Sequence, residues 1–500
     1  MVGCDPRRDK AERQGRGRCR TVAKCPAFSP EPHRCPIPPA ARPAARATLA
    51  AASIALLVCA IAAIVAAPWA PRRRGAAAWS AVVAAIAVLS MLQGPMWYLN
   101  RWAFENVVQV NLGDGMRRMY GPETLQRLRD EPPPARVCET GLGRRMNVIV
   151  LVVESWSMHH SRLFSGLQDL TPRLDAIARR GSWYPRFRTN GFSTEGGLAA
   201  LLTGSAPLSG IRYGTIMLFT DVEGDLHRRL RADGFDVRFL TTGGLDFTQR
   251  ERWLELIGID DVEGAEHPAY DGRQRGSFGA ASDAALMRRV LQWYDDERGE
   301  APFVATVLTV GMHAPFVPLD GAEAGERGAV RAADAAIGDF VDALDARGFF
   351  EDGLLFVSGD HRVMQPVTRG ELEIFGDDAL VRVPAFVVGA GGTPPGPVDG
   401  DFQQVDLVPS LQYLLTAGEG CRSALHGRMF GPSPVPAPVQ VFADPMRYDQ
   451  LRVVAGGRSH LLVLDGDDSR WDGPAPPPGP IDPWLEVARL RVGKDKPPAE

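Results

Sequence analysis

Three segments of this sequence set metal-ligating or nucleophilic side chains directly after, or beside, stretches suited to regular structure. Glu154 follows Asn147–Val153, a continuous apolar run rich in β-branched residues, which marks a strand buried on both faces. Asp360 and His361 follow a second such run, residues 354–358, with Gly359 between them and the strand. Ligands of open α/β sheets bind beyond the carboxyl ends of the strands. An oxygen donor at one strand end and an oxygen–nitrogen pair at another therefore read as a set for a divalent ion. Each alone also fits an ordinary helix cap or a solvated acid. The third segment reads RTNGFSTEGGLAALLTGSAP. Gly191 allows a tight turn, and Leu198, Leu201 and Leu202 give one helix face. Thr194 thus falls at or near a helix N-terminus, where free N–H groups and the positive dipole end favour a bound phosphate. The same position suits a plain N-cap threonine. A threonine hydroxyl becomes a nucleophile only when a base or a metal activates it, and Glu154, Asp360 and His361 are the candidates to hold that metal.

The elements that must position these residues alternate along the chain. Residues 237–240, 304–309, 354–358 and 385–388 read as strands, with helical periodicity between them, as in 170–180. This alternation predicts an α/β fold, a mainly parallel sheet sandwiched by helices. Two apolar, uncharged runs, 48–67 and 76–99, precede it and are each long enough to cross a hydrocarbon core of about 30 Å. Trp97, Tyr98 and Trp102 suit the interface at the end of the second. Arg72, Arg73 and Arg74 between the runs favour a cytoplasmic loop and an external C-terminal domain, although Arg42 and Arg46 pull the other way. The chain accordingly divides into a basic, Pro- and Arg-rich tail over 1–46 that reads as disordered, two transmembrane helices over 47–99, and a juxtamembrane linker over 100–144. A catalytic domain over 145–435 follows, then a small β element and tail over 436–500, expected as an antiparallel hairpin at the sheet edge. A net charge of −4 over 500 residues excludes a nucleic-acid binder, which needs a basic face. Of the seven cysteines, four lie in the tail without a CxxC pair. Cys138 and Cys421 flank the catalytic region, and the sequence leaves open whether they pair.

The ordered series NVIVLVVES, TPRLDAIARRG, GFSTEGGLAALLTGSAP, VSGDH, RVPAFVVGAG and QQVDLVPSL resembles the motif series of the sulfatase-like, alkaline-phosphatase superfamily. Its lipoteichoic acid synthase and phosphoglycerol transferase branch is the most similar. The resemblance implies a nucleophile at Thr194, with Ser193 the alternative by a slip of one. It implies one divalent ion, Mn²⁺ or Mg²⁺ before Zn²⁺, held by Glu154, Thr194, Asp360 and His361. It also implies two substrate residues. His313, in GMHAPF, would bind phosphate or act as general acid, and Arg250, in DFTQRERW, would hold the glycerophosphate. The implied enzyme is a phosphotransferase at the cell (inner) membrane with its domain on the outer, periplasmic side. Its donor would be a membrane phospholipid, its acceptor a glycan or polymer hydroxyl, and its intermediate a covalent phosphothreonine.

The chain also departs from the pattern. Thr194-Glu195-Gly196-Gly197-Leu198 lacks the proline and arginine of the C/S-x-P-x-R sulfatase motif, which argues against sulfate ester hydrolysis. Thr248 stands where the lipoteichoic branch carries a tryptophan, and Thr241 or a neighbour where it carries a histidine, which leaves the donor head group open. Rival expectations are a phosphodiesterase or phosphatase, a phosphoethanolamine transferase, a sulfatase-type hydrolase and, from another class, an inactive membrane-bound binding or sensor protein.

Overall fold

The computed structural model describes residues 126–127, 130, 136–207, 215–390, 393–443, 450–463 and 470–476. The tail and both apolar runs read as membrane spans lie outside the described residues, and no described helix is long and apolar enough to cross a membrane.

The strands, in chain order, are β1 (Val137–Leu142), β2 (Asn147–Val153), β3 (Ser182–Trp183), β4 (Phe187–Arg188), β5 (Asp236–Thr241), β6 (Asp261–Glu263), β7 (Phe303–Leu308) and β8 (Gly353–Gly359). They continue with β9 (Ala385–Gly389), β10 (Gly396–Pro397), β11 (Phe402–Gln403), β12 (Ala417–Arg422), β13 (Val439–Ala443), β14 (Gln450–Ala455), β15 (Arg458–Val463) and β16 (Arg470–Asp472). Eight of them form the central sheet in the order β10-β3-β9-β8-β2-β7-β5-β6. Only β9 runs against its neighbours, β8 and β3, so the sheet is mainly parallel, as the alternation predicts.

β2 shows why the sheet needs helices on both sides. Val148, Val150 and Val152 face one apolar cluster, and Ile149, Leu151 and Val153 face another. Each such side chain, fully buried, stabilises the fold by about 1.5–3 kcal/mol. The helices Thr194–Thr203 and Leu407–Leu415 feed the first cluster. Pro172–Arg180 and the long helix Glu326–Ala346 feed the second.

Two regions differ from the sequence-based expectation. Within 100–144, Val137–Leu142 is a strand paired antiparallel with β12, and Cys138 and Cys421 face each other there in a disulfide. The C-terminal region is a four-stranded antiparallel sheet of its own, β13-β14-β15-β16, rather than a hairpin on the edge of the central one. Its β13 explains the difference. Val439, Val441 and Ala443 pack on one side, while Phe442 packs with Val381 on the other. A strand buried on both faces needs more cover than a hairpin supplies.

Candidate active site

Strand register assembles the site. β2 and β8 are parallel neighbours with Val153 opposite Gly359, so Glu154 and Asp360 leave the sheet side by side. Ser155 then adopts a left-handed conformation (φ 56°), a cost of about 1–3 kcal/mol for a residue with a side chain. That turn aims its N–H at Asp360 Oδ1 (2.7 Å), while its hydroxyl donates to Glu154 Oε1 (2.7 Å). Thr309, just past β7, accepts from the Glu154 N–H (2.9 Å).

Thr194 is the first residue of its helix, and Ser193 is the N-cap whose Oγ accepts from the Gly196 N–H. The two hydroxyls therefore part company. Ser193 serves the helix end, whereas Thr194 Oγ1 donates to Glu154 Oε2 (3.1 Å) and stands 3.5 Å from His361 Nε2. Two glycines permit this approach. A Cβ on Gly197 would lie 2.3 Å from the Asp360 carbonyl oxygen, and one on Gly191 would lie 2.3 Å from the Gly196 backbone. Gln404 ties the same parts together from below. Its Nε2 donates to the Gly359 and Asp360 carbonyls, and its Oε1 accepts from Thr189 Oγ1 and the Asn190 N–H.

The electrostatics call for a cation. Glu154, Asp360 and His361 are buried and bring one ligand atom each within 4.8 Å of the others. His361 Nδ1–H donates to the Arg362 carbonyl (2.8 Å), which leaves the lone pair of Nε2 facing the carboxylates, the arrangement of a metal-ligating histidine. Asp360 Oδ1 accepts from two N–H groups, but the buried Oδ2 has no hydrogen-bond partner. Burial, reinforced by the neighbouring Glu154, pushes the Asp360 carboxyl up to about 6. Burial likewise raises Glu154. It opposes a charge on His361, but Asp360 and Glu154 outweigh it and the ring's pKa rises. Converging lone pairs, an orphaned carboxylate oxygen and a hydroxyl fit a divalent ion.

Arg250 and His313 reach the same place from the ends of other strands. Arg250 opens the helix Arg250–Leu256 after β5, is buried, and lies 3.9 Å from Glu195. Its Nε has no partner among the described residues. Burial lowers its pKa, against the pull of Glu195, Glu154 and Asp360. A buried guanidinium with a spare donor beside carboxylates is fit to receive an anion. His313 follows β7. Its Nδ1–H donates to the Ala314 carbonyl, so Nε2 carries the lone pair, and burial with help from His361 lowers its pKa. Thr241 turns away from any substrate role, donating to the Leu308 carbonyl (2.9 Å) and accepting from the Gly243 N–H. Sequence reasoning passed over Ser155, Glu195, Thr309 and Gln404. Ser155, Glu195 and Gln404 carried a signal, their places in the NVIVLVVES, GFSTEGGLAALLTGSAP and QQVDLVPSL motifs, and Thr309 carried none.

The chain is similar to several known proteins. Phosphoglycerol transferase I of Escherichia coli is 25% identical over 217 residues, 39% of this chain and 28% of that protein. The chain therefore spans little more than a quarter of that relative's length. A protein of the alkaline phosphatase superfamily from Vibrio parahaemolyticus shares the fold at a TM-score of 0.55 and 18% identity, over 76% of this chain and 94% of its own. A lipoteichoic acid synthase from Listeria monocytogenes does so at 0.51 and 18%, over 71% and 91%. The sulfatase family model matches residues 146–417, which takes in β2, the Thr194 helix, the Asp360–His361 pair and Gln404. With more than half its length so matched, the chain belongs to the sulfatase family.

Proposed function

We propose that this chain is a membrane-anchored, metal-dependent transferase that moves a phosphoglycerol-type head group from a phospholipid to an acceptor hydroxyl through phosphothreonine at Thr194. One observation carries the reading. The Thr194 hydroxyl, rather than that of Ser193, donates to a buried carboxylate and stands beside His361 Nε2 at a helix N-terminus. The distant likeness to phosphoglycerol transferase I supports the choice of donor, and the apolar runs 48–67 and 76–99 support the anchor.

Glu154, Thr194, Asp360 and His361 would hold the divalent ion, Mn²⁺ or Mg²⁺ before Zn²⁺, which when bound stabilises negative charge on phosphate and nucleophile. In the first step Thr194 Oγ1 gives its proton toward Glu154 and forms a bond to phosphorus. The bond from phosphorus to the diacylglycerol oxygen breaks, and that oxygen takes the Nε2 proton of His313 in its protonated form, which leaves the ring neutral. Arg250 offers its spare N–H to an equatorial phosphate oxygen, where transition-state charge collects. In the second step the acceptor hydroxyl passes its proton to the lone pair of neutral His313 and attacks phosphorus. Thr194 leaves and recovers a proton.

Mass spectrometry of the tryptic peptide containing Thr194, after incubation with phosphatidylglycerol, is expected to show a glycerophosphate adduct that is absent in Thr194→Ala. Full turnover in Thr194→Ala would overturn the assignment. Free glycerophosphate released in the presence of sugar acceptors, with no transferred product, would make water the acceptor and the chain a phosphodiesterase.

A further inference from the structure

Beyond the Thr194 site the chain builds a second cluster of ligand-type side chains. β2 is followed, after Glu154, by the single helical turn Met158–His160, which sets His159 and His160 next to each other with ring centroids 4.2 Å apart. Both rings are buried. Across from them stands Glu326, the first residue of the long helix Glu326–Ala346. Its Oε1 is 3.0 Å from His160 Nε2 and 3.5 Å from His159 Nε2. One ligand atom from each of the three residues falls within 4.8 Å of the others.

The hydrogen bonds around the cluster orient it. His159 Nδ1 lies 3.0 Å from Glu371 Oε1, a carboxylate that can only accept, so His159 donates there. Arg362 holds Glu371 with two bonds of 2.8 Å. A neutral His159 then points the lone pair of Nε2 at the Glu326 carboxylate. Two acceptors cannot face each other at 3.5 Å without positive charge between them. A carboxylate behind one histidine nitrogen, with a lone pair on the other aimed at a second carboxylate, is the second-shell arrangement of metal-bound histidines.

We propose that His159, His160 and Glu326 form a second divalent-cation site, separate from the Thr194 site, with Glu371 as the outer carboxylate that orients His159. Two imidazoles and one carboxylate favour Zn²⁺ over Mn²⁺ or Mg²⁺. Glu326 is a quarter exposed, which leaves a side from which an ion enters and a water completes four-coordination. His160 Nδ1 accepts a long contact (3.3 Å) from the Ser157 N–H. Ligation through Nε2 shifts that ring's proton to Nδ1 and releases the contact. The cluster also joins the two ligand-bearing loops, since Arg362 accepts from His361 through its carbonyl and grips Glu371 through its guanidinium. An ion there would fasten the β2 loop, the β8 loop and the long helix at one point.

Equilibrium dialysis of the EDTA-stripped full chain against Zn²⁺, read by elemental mass spectrometry, tests this independently of transferase activity. Two equivalents are expected for the natural chain. One is expected for His159→Gln, one for Glu326→Gln, one for Asp360→Asn, and none when His159→Gln and Asp360→Asn are combined. Glu326 lies at a solvent-facing helix start, so Glu326→Gln carries the test if His159→Gln does not fold by circular dichroism. Co²⁺ loading should give a tetrahedral visible spectrum that survives Asp360→Asn and is lost in Glu326→Gln. A single equivalent in the natural chain that survives Glu326→Gln and is lost in Asp360→Asn, or two that persist in Glu326→Gln, would overturn the second site. Loss of Zn²⁺ only in Asp360→Asn would leave the His159 cluster as a protonated, hydrogen-bonded group.

Discussion

The Thr194 cluster and the His159 cluster both follow the carboxyl end of β2, yet they are made differently. The first takes its ligands from adjacent parallel strands whose register sets Glu154 beside Asp360. Glu154, Asp360 and His361 are buried, and the half-buried hydroxyl of Thr194 joins them at a helix start. The second takes two histidines from one short turn and a part-exposed glutamate from a distant helix. Sheet register gives the first a fixed spacing, and a helix start sets the Thr194 hydroxyl beside it. The second has neither, but it holds three separate segments together. The contrast teaches that proximity of ligand-type residues does not make a reaction site. A reacting atom and a rigid frame must be added.

The largest expected effect tests that distinction directly. Thr194→Ala should lower turnover by roughly 10³-fold or more, as loss of a covalent nucleophile does, while His159→Gln should lower it by about 10-fold at most. Equal losses in a head-group transfer assay would break the comparison. Next, Gly197→Ala would drive a methyl to 2.3 Å from the Asp360 carbonyl oxygen. A displacement on that scale is expected to cut turnover by about 10²-fold and to lower the melting temperature. An unchanged kcat would show that the frame is not rigid. Arg250→Lys, which keeps the charge but loses the planar fork, should lower kcat/KM by roughly 10-fold, equivalent to about 1.5 kcal/mol for one charged hydrogen bond.

The smallest effect on activity concerns neither cluster. Burial holds the pKa of His227 and of His426 down to about 4, against about 6.5 in an unfolded chain. The native state therefore binds fewer protons than the unfolded state between those values. The stability due to each is complete above about pH 6.5 and is lost as pH falls toward 4, on the order of 3 kcal/mol per histidine. Urea midpoints should fall over that range. In His227→Gln, whose amide can still donate to the Leu202 carbonyl as the ring does at 2.7 Å, the fall should be smaller. The same slope in both proteins would remove His227 from the account.

Much of the frame was legible because parallel strands covered on both faces write themselves as unbroken apolar runs. Asn147–Val153 is one strand as read, and the runs 304–309 and 354–358 match β7 and β8 to within one residue at each end. The residues after those runs were legible as candidates for the same reason. Pairing at a distance was not. β1 with β12 rests on partners 283 residues apart, and β3, β4, β10 and β11 are two residues each, too short for any period to register. The His159 cluster was passed over because Glu326 is 166 residues further on and looks, in sequence, like the opening acid of a helix. Spacing favoured Thr194 and left Ser193 as the alternative by a slip of one; the cap geometry gives the two hydroxyls different partners.

Gly197 carries a consequence of a different kind. With the Thr194 helix and the Asp360 turn in backbone contact there, the gap between Thr194 and its neighbours works like a machined fit with no adjustable spacer. Side chains elsewhere in the pocket can be exchanged to suit new substrates while the gap is kept. On the proposed transferase reading, a change of donor or acceptor should therefore be sought around Arg250 and His313, and the glycine left where it is.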